Sequence, residues 1–227
     1  MILYFVRHGD PDYAKNILTP LGHKQAKYVA KFFESKKIDK IFSSDSNRAM
    51  ETAKYTAKIL HKKINILPWA NESLAGKDFW DHKINNWIYV SDEYLDLFKK
   101  LKGNKNWFQN EKIKKTNFEK GCKRIQKSLK EWFKTLNIFY DEKKKIYVSK
   151  GKVPKRVILF AHGGMSVPTL SSILHINFPD YVLGFQMPGL CSISRVVINV
   201  DKKMNCQLLT YNELPYPKEL NKFDIHE

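Results

Sequence analysis

The sequence predicts an α/β fold, a three-layer α/β/α sandwich around a mostly parallel central sheet. Three observations carry this expectation. Short apolar strands alternate with amphipathic helices, which implies parallel pairing with helices on both faces. Polar or glycine-containing turns follow the strands, as they do at the carboxyl edge of an open sheet. Two further strand-like runs near the end, SISRVVINV and CQLLTYNEL, read as a final pair at the sheet edge.

The first strand is Met1 to Val6, apolar or aromatic throughout, with β-branched Ile2 and Val6. Arg7-His8-Gly9-Asp10 follows, with Pro11 close behind. Gly9 permits a positive φ and Pro11 fixes a turn, so the strand stops there. A helix begins at Thr19-Pro20, with Thr19 as N-cap and proline in the first helical position. Leu21, Ala26, Val29, Ala30 and Phe33 fall on one face of it. Asp39 to Phe42 is the second strand and runs through a polar turn into a helix carrying Ala49, Ala53, Ile59 and Leu60. Ile64 to Leu67 is the third strand, closed by Pro68. Val157 to Ala161 is the fourth, and HGGMSVPTLSSIL after it is a glycine turn and another helix.

Between Pro68 and Lys155 the pattern changes. SDEYLDLFKKL and TNFEKGCKRIQKSLKEWFKTL are amphipathic helices. The second has Phe118, Cys122, Ile125, Leu129, Trp132 and Phe133 on one stripe, with Thr116 and Glu119 as a capping box. Tyr140 to Arg156 reads as a polar run that returns the chain to the sheet. The expected organisation is one domain over residues 1–227, with a helical insertion at about 78–155 over the sheet's end. Its aromatics Trp80, Trp87, Tyr89, Tyr94 and Trp107 read as packing groups more than as a stacking surface for a ligand.

Composition narrows the function. With 43% hydrophobic residues the chain can bury a sizeable core. No apolar run approaches the ~20 residues of a membrane helix, and no basic stretch precedes the first strand, so neither membrane insertion nor a cleaved leader is expected. Cys122, Cys191 and Cys206 are odd in number and form no Cys-x-x-Cys, which speaks against a disulfide framework or a zinc site and for the cytoplasm. The net charge is +17, but Lys supplies 35 of the 40 basic residues and is spread over many segments. No specific nucleic-acid partner is expected; the surface instead concentrates small anionic substrates.

Only five residues are Arg: Arg7, Arg48, Arg124, Arg156 and Arg195. Where Lys is the default cation, Arg marks a need for a planar fork that grips phosphate or carboxylate. Arg7-His8-Gly9, Arg48 and His162-Gly163-Gly164 fall after the first, second and fourth strands. Two Arg and two His at one sheet edge make a positive pocket, and the amides after His162 open a helix N-terminus. A phosphoryl group suits it.

These residues resemble the histidine phosphatase superfamily, in its phosphoglycerate mutase-like branch. LYFVRHG, LTPLGHKQA, IFSSDSNRAMETA, NESLAG and ILFAHGG stand in the family's order, while the stretch between Asp78 and Lys155 has no counterpart. The resemblance implies that His8 is the nucleophile that becomes phosphorylated, and that Arg7, Arg48 and His162 bind the phosphoryl oxygens. Glu72 would give a proton to the leaving group. The acid-phosphatase branch has His-Asp at the second histidine; His162-Gly163 here leaves the acid in the earlier loop. Water would then hydrolyse the phosphohistidine with the same carboxylate as base, with no metal ion and no cofactor.

Mutase-like members carry Trp and Asn at the fifth and sixth positions after the nucleophile. Tyr13 and Ala14 stand there in this chain, with Asn16 two residues later. The block after the acid is Ser73-Leu74-Ala75-Gly76, without the bulky basic and aromatic residues of mutases. Both departures favour a phosphatase acting on a small phosphorylated metabolite, with Gly163 and Asn16 as further substrate contacts and Asp10 and Ser73 as minor ones. The alternatives are a mutase-type phosphotransferase and a basic nucleic-acid-binding module that has kept the fold.

Overall fold

In the computed structural model, which describes residues 1–82, 85–203 and 206–221, a six-stranded sheet organises the chain. β1 (Ile2–Arg7) leads through a small ribbon, β2 (Pro11–Asp12) and β3 (Ile17–Leu18), into α1 (Pro20–Glu34). β4 (Lys40–Ser43), α2 (Asn47–Ile59) and β5 (Ile64–Ile66) follow. Then come α3 (Glu72–Phe79), a second ribbon of β6 (Trp80–Asp81) and β7 (Asn86–Trp87), α4 (Asp92–Lys100), α5 (Glu111–Lys114) and α6 (Phe118–Lys134). A hairpin of β8 (Ile138–Asp141) and β9 (Ile146–Ser149) precedes β10 (Arg156–Ala161) and α7 (Gly163–Leu174). The remaining elements are α8 (Phe178–Gly184), β11 (Ile193–Ile198) and β12 (Cys206–Glu213).

The strand order is β12-β11-β1-β10-β4-β5. β1, β10, β4 and β5 run parallel, and β11 and β12 form an antiparallel edge. The expected mostly parallel sandwich is what the chain forms. Parallel strands covered on both faces are near-continuously apolar, and β1 and β10 obey this apart from Arg7 at the end of one and Arg156 at the start of the other. Leu3, Phe5, Val157 and Leu159 point into one core with α6 and α7; Tyr4, Val6, Ile158 and Phe160 point into the other with α1 and α2.

Thr19 caps α1 as expected, its side chain accepting from the Gly22 amide, with Pro20 at the first position. In α2 the buried face is Ala49, Thr52, Ala53, Thr56 and Ala57, small residues that let α1 approach closely, whereas Ile59 lies at the surface. The apolar stripe of α6 is buried along its whole length, and Trp132 meets Phe42 of β4 edge-on at 5.2 Å. The insertion therefore does more than lie over the sheet's end: α6 stands beside α7 as part of one helical layer.

Three local expectations need correction. Gly9 does not adopt a positive φ. A side chain there would meet the Gly22 carbonyl oxygen at 2.7 Å, so glycine is required by close packing against α1. The Thr116–Glu119 capping box does not form: Thr116 Oγ1 accepts from the Phe118 amide, while Glu119 pairs with Lys123 one turn on. The polar run after Tyr140 contains the β8–β9 hairpin, whose turn is held by Asp141 Oδ1 accepting from the Lys143 and Lys144 amides. The three cysteines are free, and no helix among the described residues is long and apolar enough to cross a membrane.

Candidate active site

Strand register assembles the site. Arg7 pairs with Ala161 across β1 and β10, so the next residues, His8 and His162, emerge side by side at the carboxyl edge. Their rings are 5.1 Å apart between centroids. Phe160 pairs with Ser43 of β4, which brings Ser44 beside His162 and starts the turn that carries Arg48 on α2. Ser43 in turn pairs with Ile66 of β5, and the chain from there reaches Glu72 at the first position of α3.

His8 is fully buried and its protonation is legible from its partners. Nδ1 lies 2.8 Å from the Gly9 carbonyl oxygen, which can only accept, so Nδ1 carries the proton. Nε2 accepts from Arg48 Nε at 3.2 Å and therefore holds a lone pair. Burial, the His162 ring and the Arg7 and Arg48 guanidinium groups hold the His8 pKa well below the usual histidine range, against a weaker opposite pull from Glu72. The imidazole is neutral, with the Nε2 lone pair turned to Arg48.

Arg48 is the hub. Besides His8, its NH1 donates to Asn16 Oδ1 at 2.7 Å and its NH2 to Glu72 Oε2 at 2.7 Å. Asn16 sits in the left-handed region with φ 55° and also accepts from Ser46 Oγ, which fixes it against the start of α2. Arg7 is buried and donates through NH1 to the Pro188 carbonyl at 2.7 Å. Gly163 lies against it: a Cβ there would meet Arg7 Cζ at 2.9 Å and Met187 Sδ at 2.6 Å.

Glu72 Oε1 accepts from the Gly164 amide at 2.9 Å, at the N-terminus of α7. Its Oε2 lies 3.7 Å from His162 Nδ1. The other His162 nitrogen, Nε2, is 2.8 Å from Ser44 Oγ. Nδ1 is buried and finds no hydrogen-bond partner. Burial, then Arg48 and Arg7, keep the His162 pKa well below its usual range. His8, Glu72 and His162 place ligand atoms within 4.8 Å of one another, a spacing open to a metal ion. The Arg48 guanidinium already hydrogen-bonds two of those three side chains, so the cluster is built as an anion site with an organic cation at its centre.

Comparison with known proteins decides the family. The profile of the histidine phosphatase superfamily (branch 1) matches residues 3–213. The chain belongs to the histidine phosphatase superfamily. A Hydrogenobacter thermophilus protein provisionally named phosphoserine phosphatase 2 is 28% identical over 171 residues, 71% of this chain and 73% of that protein. Among solved structures, phosphoserine phosphatase from Entamoeba histolytica, in complex with 3-phosphoglyceric acid, superposes with a TM-score of 0.60 at 19% identity. That match covers 93% of this chain and 96% of the other. Mycobacterial glucosyl-3-phosphoglycerate phosphatase, complexed with VO3, gives a TM-score of 0.59 at 17% identity over 93% of this chain and 99% of the other. At these identities the structures establish the shared fold.

This histidine phosphatase brings together Arg7, His8, Asn16, Arg48, Glu72, His162 and Gly163, as the sequence led us to expect. Asp10 is elsewhere: its carboxylate accepts from Thr19 Oγ1 at 2.5 Å and ties the loop to α1. Ser73 lies at the rim, hydrogen-bonded to Asn71. Three contributors escaped the sequence reading. Ser44 orients His162, and Thr52 accepts from the Gly9 amide and donates to the Arg48 carbonyl. The third is the Gly164 amide on Glu72. Ser44 and Thr52 both lie inside the IFSSDSNRAMETA block, flanking Arg48, and that block was their signal.

Proposed function

We propose that this histidine phosphatase hydrolyses a phosphate monoester of a small metabolite through a phosphohistidine on His8, without a metal ion. The observation that carries the reading is the fixed Nδ1–H tautomer of His8, with the Nε2 lone pair beside the Arg48 fork. Nε2 attacks phosphorus while the bond to the leaving oxygen breaks. Arg48, Arg7, His162 and the Gly163 amide at the start of α7 take the charge on the phosphoryl oxygens. As the phosphoryl group engages the Arg48 donors, Glu72 loses part of its counter-ion and faces added negative charge. The Glu72 carboxyl gives its proton to the departing alkoxide. In the second half, Glu72 takes a proton from water, the water oxygen attacks phosphorus, and the P–N bond breaks to free phosphate and His8.

The relatives named above are phosphatases, so a mutase or a nucleic-acid module is not favoured. We also read residues 1–227 as one domain with an insertion at about 78–155, supported by the core that α6 shares with β1 and β4. We place it in the cytoplasm, on the strength of three free cysteines.

The test is phosphate release from a panel of metabolite phosphates in the presence of EDTA, with rapid acid-free quenching to trap the intermediate. Wild type should turn over and carry an acid-labile, base-stable phosphoryl group; His8→Ala should show neither. Turnover by His8→Ala at the wild-type rate would falsify the mechanism, and loss of activity in EDTA restored by a divalent ion would remove its metal-free part.

A further inference from the structure

The floor of the cleft holds the phosphoryl group, but its mouth has a chemistry of its own. It opens as a cavity of about 470 Å³, within the size range of small-molecule sites. Tyr13 stands on one side, 62% exposed, its ring centroid 5.4 Å from Arg48 Cζ and 6.4 Å from the His8 ring. Trp80 also lines it, half-buried and braced edge-on by Trp87 at 5.2 Å. Asn71 and Ser73, at the start of α3, add neutral polar groups: Asn71 Oδ1 accepts from both the Ser73 amide and hydroxyl.

Charge is confined to the inner wall. Among the described residues lining the mouth, Arg48 is the only cation and Glu72 the only anion. Arg48 faces the phosphoryl position and already hydrogen-bonds His8, Asn16 and Glu72 on that inner wall. A carboxylate on the substrate's leaving portion would lie near Glu72 and two aromatic rings, with no described cation to offset its desolvation. Aromatic faces beside neutral hydrogen-bonding groups suit the opposite kind of molecule. A sugar ring presents a face of C–H bonds that packs on Tyr or Trp, and hydroxyls that reach Asn and Ser oxygens.

We infer that the leaving group is an uncharged, ring-shaped polyol, so that the substrate is a sugar phosphate rather than a phosphorylated amino or hydroxy acid. The inference rests on the phosphatase reading above. Its test is kcat/KM, from phosphate release, for ribose 5-phosphate and glucose 6-phosphate against O-phosphoserine, 3-phosphoglycerate and adenosine 5′-monophosphate. At least one sugar phosphate should exceed both acids and the nucleotide by about tenfold or more. Trp80→Ala should raise KM for that sugar phosphate about tenfold and reduce its advantage over phosphoserine. Preference for either acid or for the nucleotide would overturn the inference, as would equal effects of Trp80→Ala on all substrates. p-Nitrophenyl phosphate separates the two levels. Its hydrolysis by wild type, lost in His8→Ala, upholds the phosphatase whichever ester wins; no hydrolysis of it would bring down both.

Discussion

Gly164 donates its backbone amide to Glu72 Oε1, so the first turn of α7 holds the carboxylate that begins α3. The other oxygen is held by Arg48 at 2.7 Å. This grip holds a carboxylate oxygen within 4.8 Å of the His8 and His162 ring nitrogens, within reach of a leaving oxygen. Glu72→Gln keeps the shape and one of the two accepted hydrogen bonds but has no proton to transfer. In single-turnover measurements we expect phosphorylation by an alkyl phosphate to slow by roughly 10²–10⁴-fold, the usual worth of general acid catalysis. p-Nitrophenyl phosphate leaves as a stabilised phenolate and should lose far less. Equal losses for both esters would reduce Glu72 to a binding group.

Arg48→Lys retains the charge but cannot serve three partners in one plane. His8 Nε2, Asn16 Oδ1 and Glu72 Oε2 are met by three different guanidinium nitrogens. We expect kcat/KM to fall by about tenfold to a hundredfold, because an ammonium group is a compact point charge without the fork. Kinetics equal to wild type would mean that charge alone suffices there.

Trp87 lies against Gly164 so closely that a Cβ on the glycine would overlap Trp87 Cζ2. Gly164→Ala should therefore destabilise the protein, although alanine is the better helix former by about 1 kcal/mol. Adding Trp87→Phe removes the obstructing atoms and should recover part of the loss, a coupling that thermal or urea unfolding of the four variants measures. Strictly additive effects would show that the ring is not the obstacle.

His8, His162 and His175 all have pKa values lowered in the folded protein, burial being the largest cause for each. In the unfolded chain they take up protons near the ordinary value of about 6.5. Below that pH the unfolded state binds more protons than the native state, so stability falls as pH drops and is fully present above it. Each histidine that stays neutral contributes a slope approaching about 1.4 kcal/mol per pH unit. Urea unfolding should show the midpoint decreasing from about pH 7.5 to about pH 5.5. An unchanged midpoint would mean that these rings protonate as readily folded as unfolded.

Much of the site was legible because its residues sit in short blocks at strand ends, and a parallel sheet delivers all such ends to one edge. Arg7-His8 and His162 needed no three-dimensional information beyond that rule. The Gly164 amide on Glu72 was not legible, since backbone groups leave no mark on residue type and the contact spans 92 positions. Gly9 was assigned to the right place for the wrong reason, because sequence does not separate a glycine needed for φ from one needed for closeness. The β8–β9 hairpin hid behind the charged turn DEKKK, although Asp141 was a usable turn signal. α6 showed its apolar stripe clearly; which surface that stripe would cover depended on the order of the strands.

The tie between Trp87 and Gly164 bears on how such an enzyme can be re-engineered. The segment between Asp78 and Lys155 has no counterpart in the motif blocks, and it invites treatment as a cassette to be exchanged for another specificity. Its indole, however, packs on the turn that grips Glu72, the hydroxyl of Tyr89 reaches the Gly164 carbonyl, and the α6 stripe lines the interior against β4. A foreign segment would need to bring its own indole-shaped brace and its own helical layer. Diversification of this enzyme is therefore more accessible through Tyr13, Ser73 and Trp80 at the rim than through wholesale grafting.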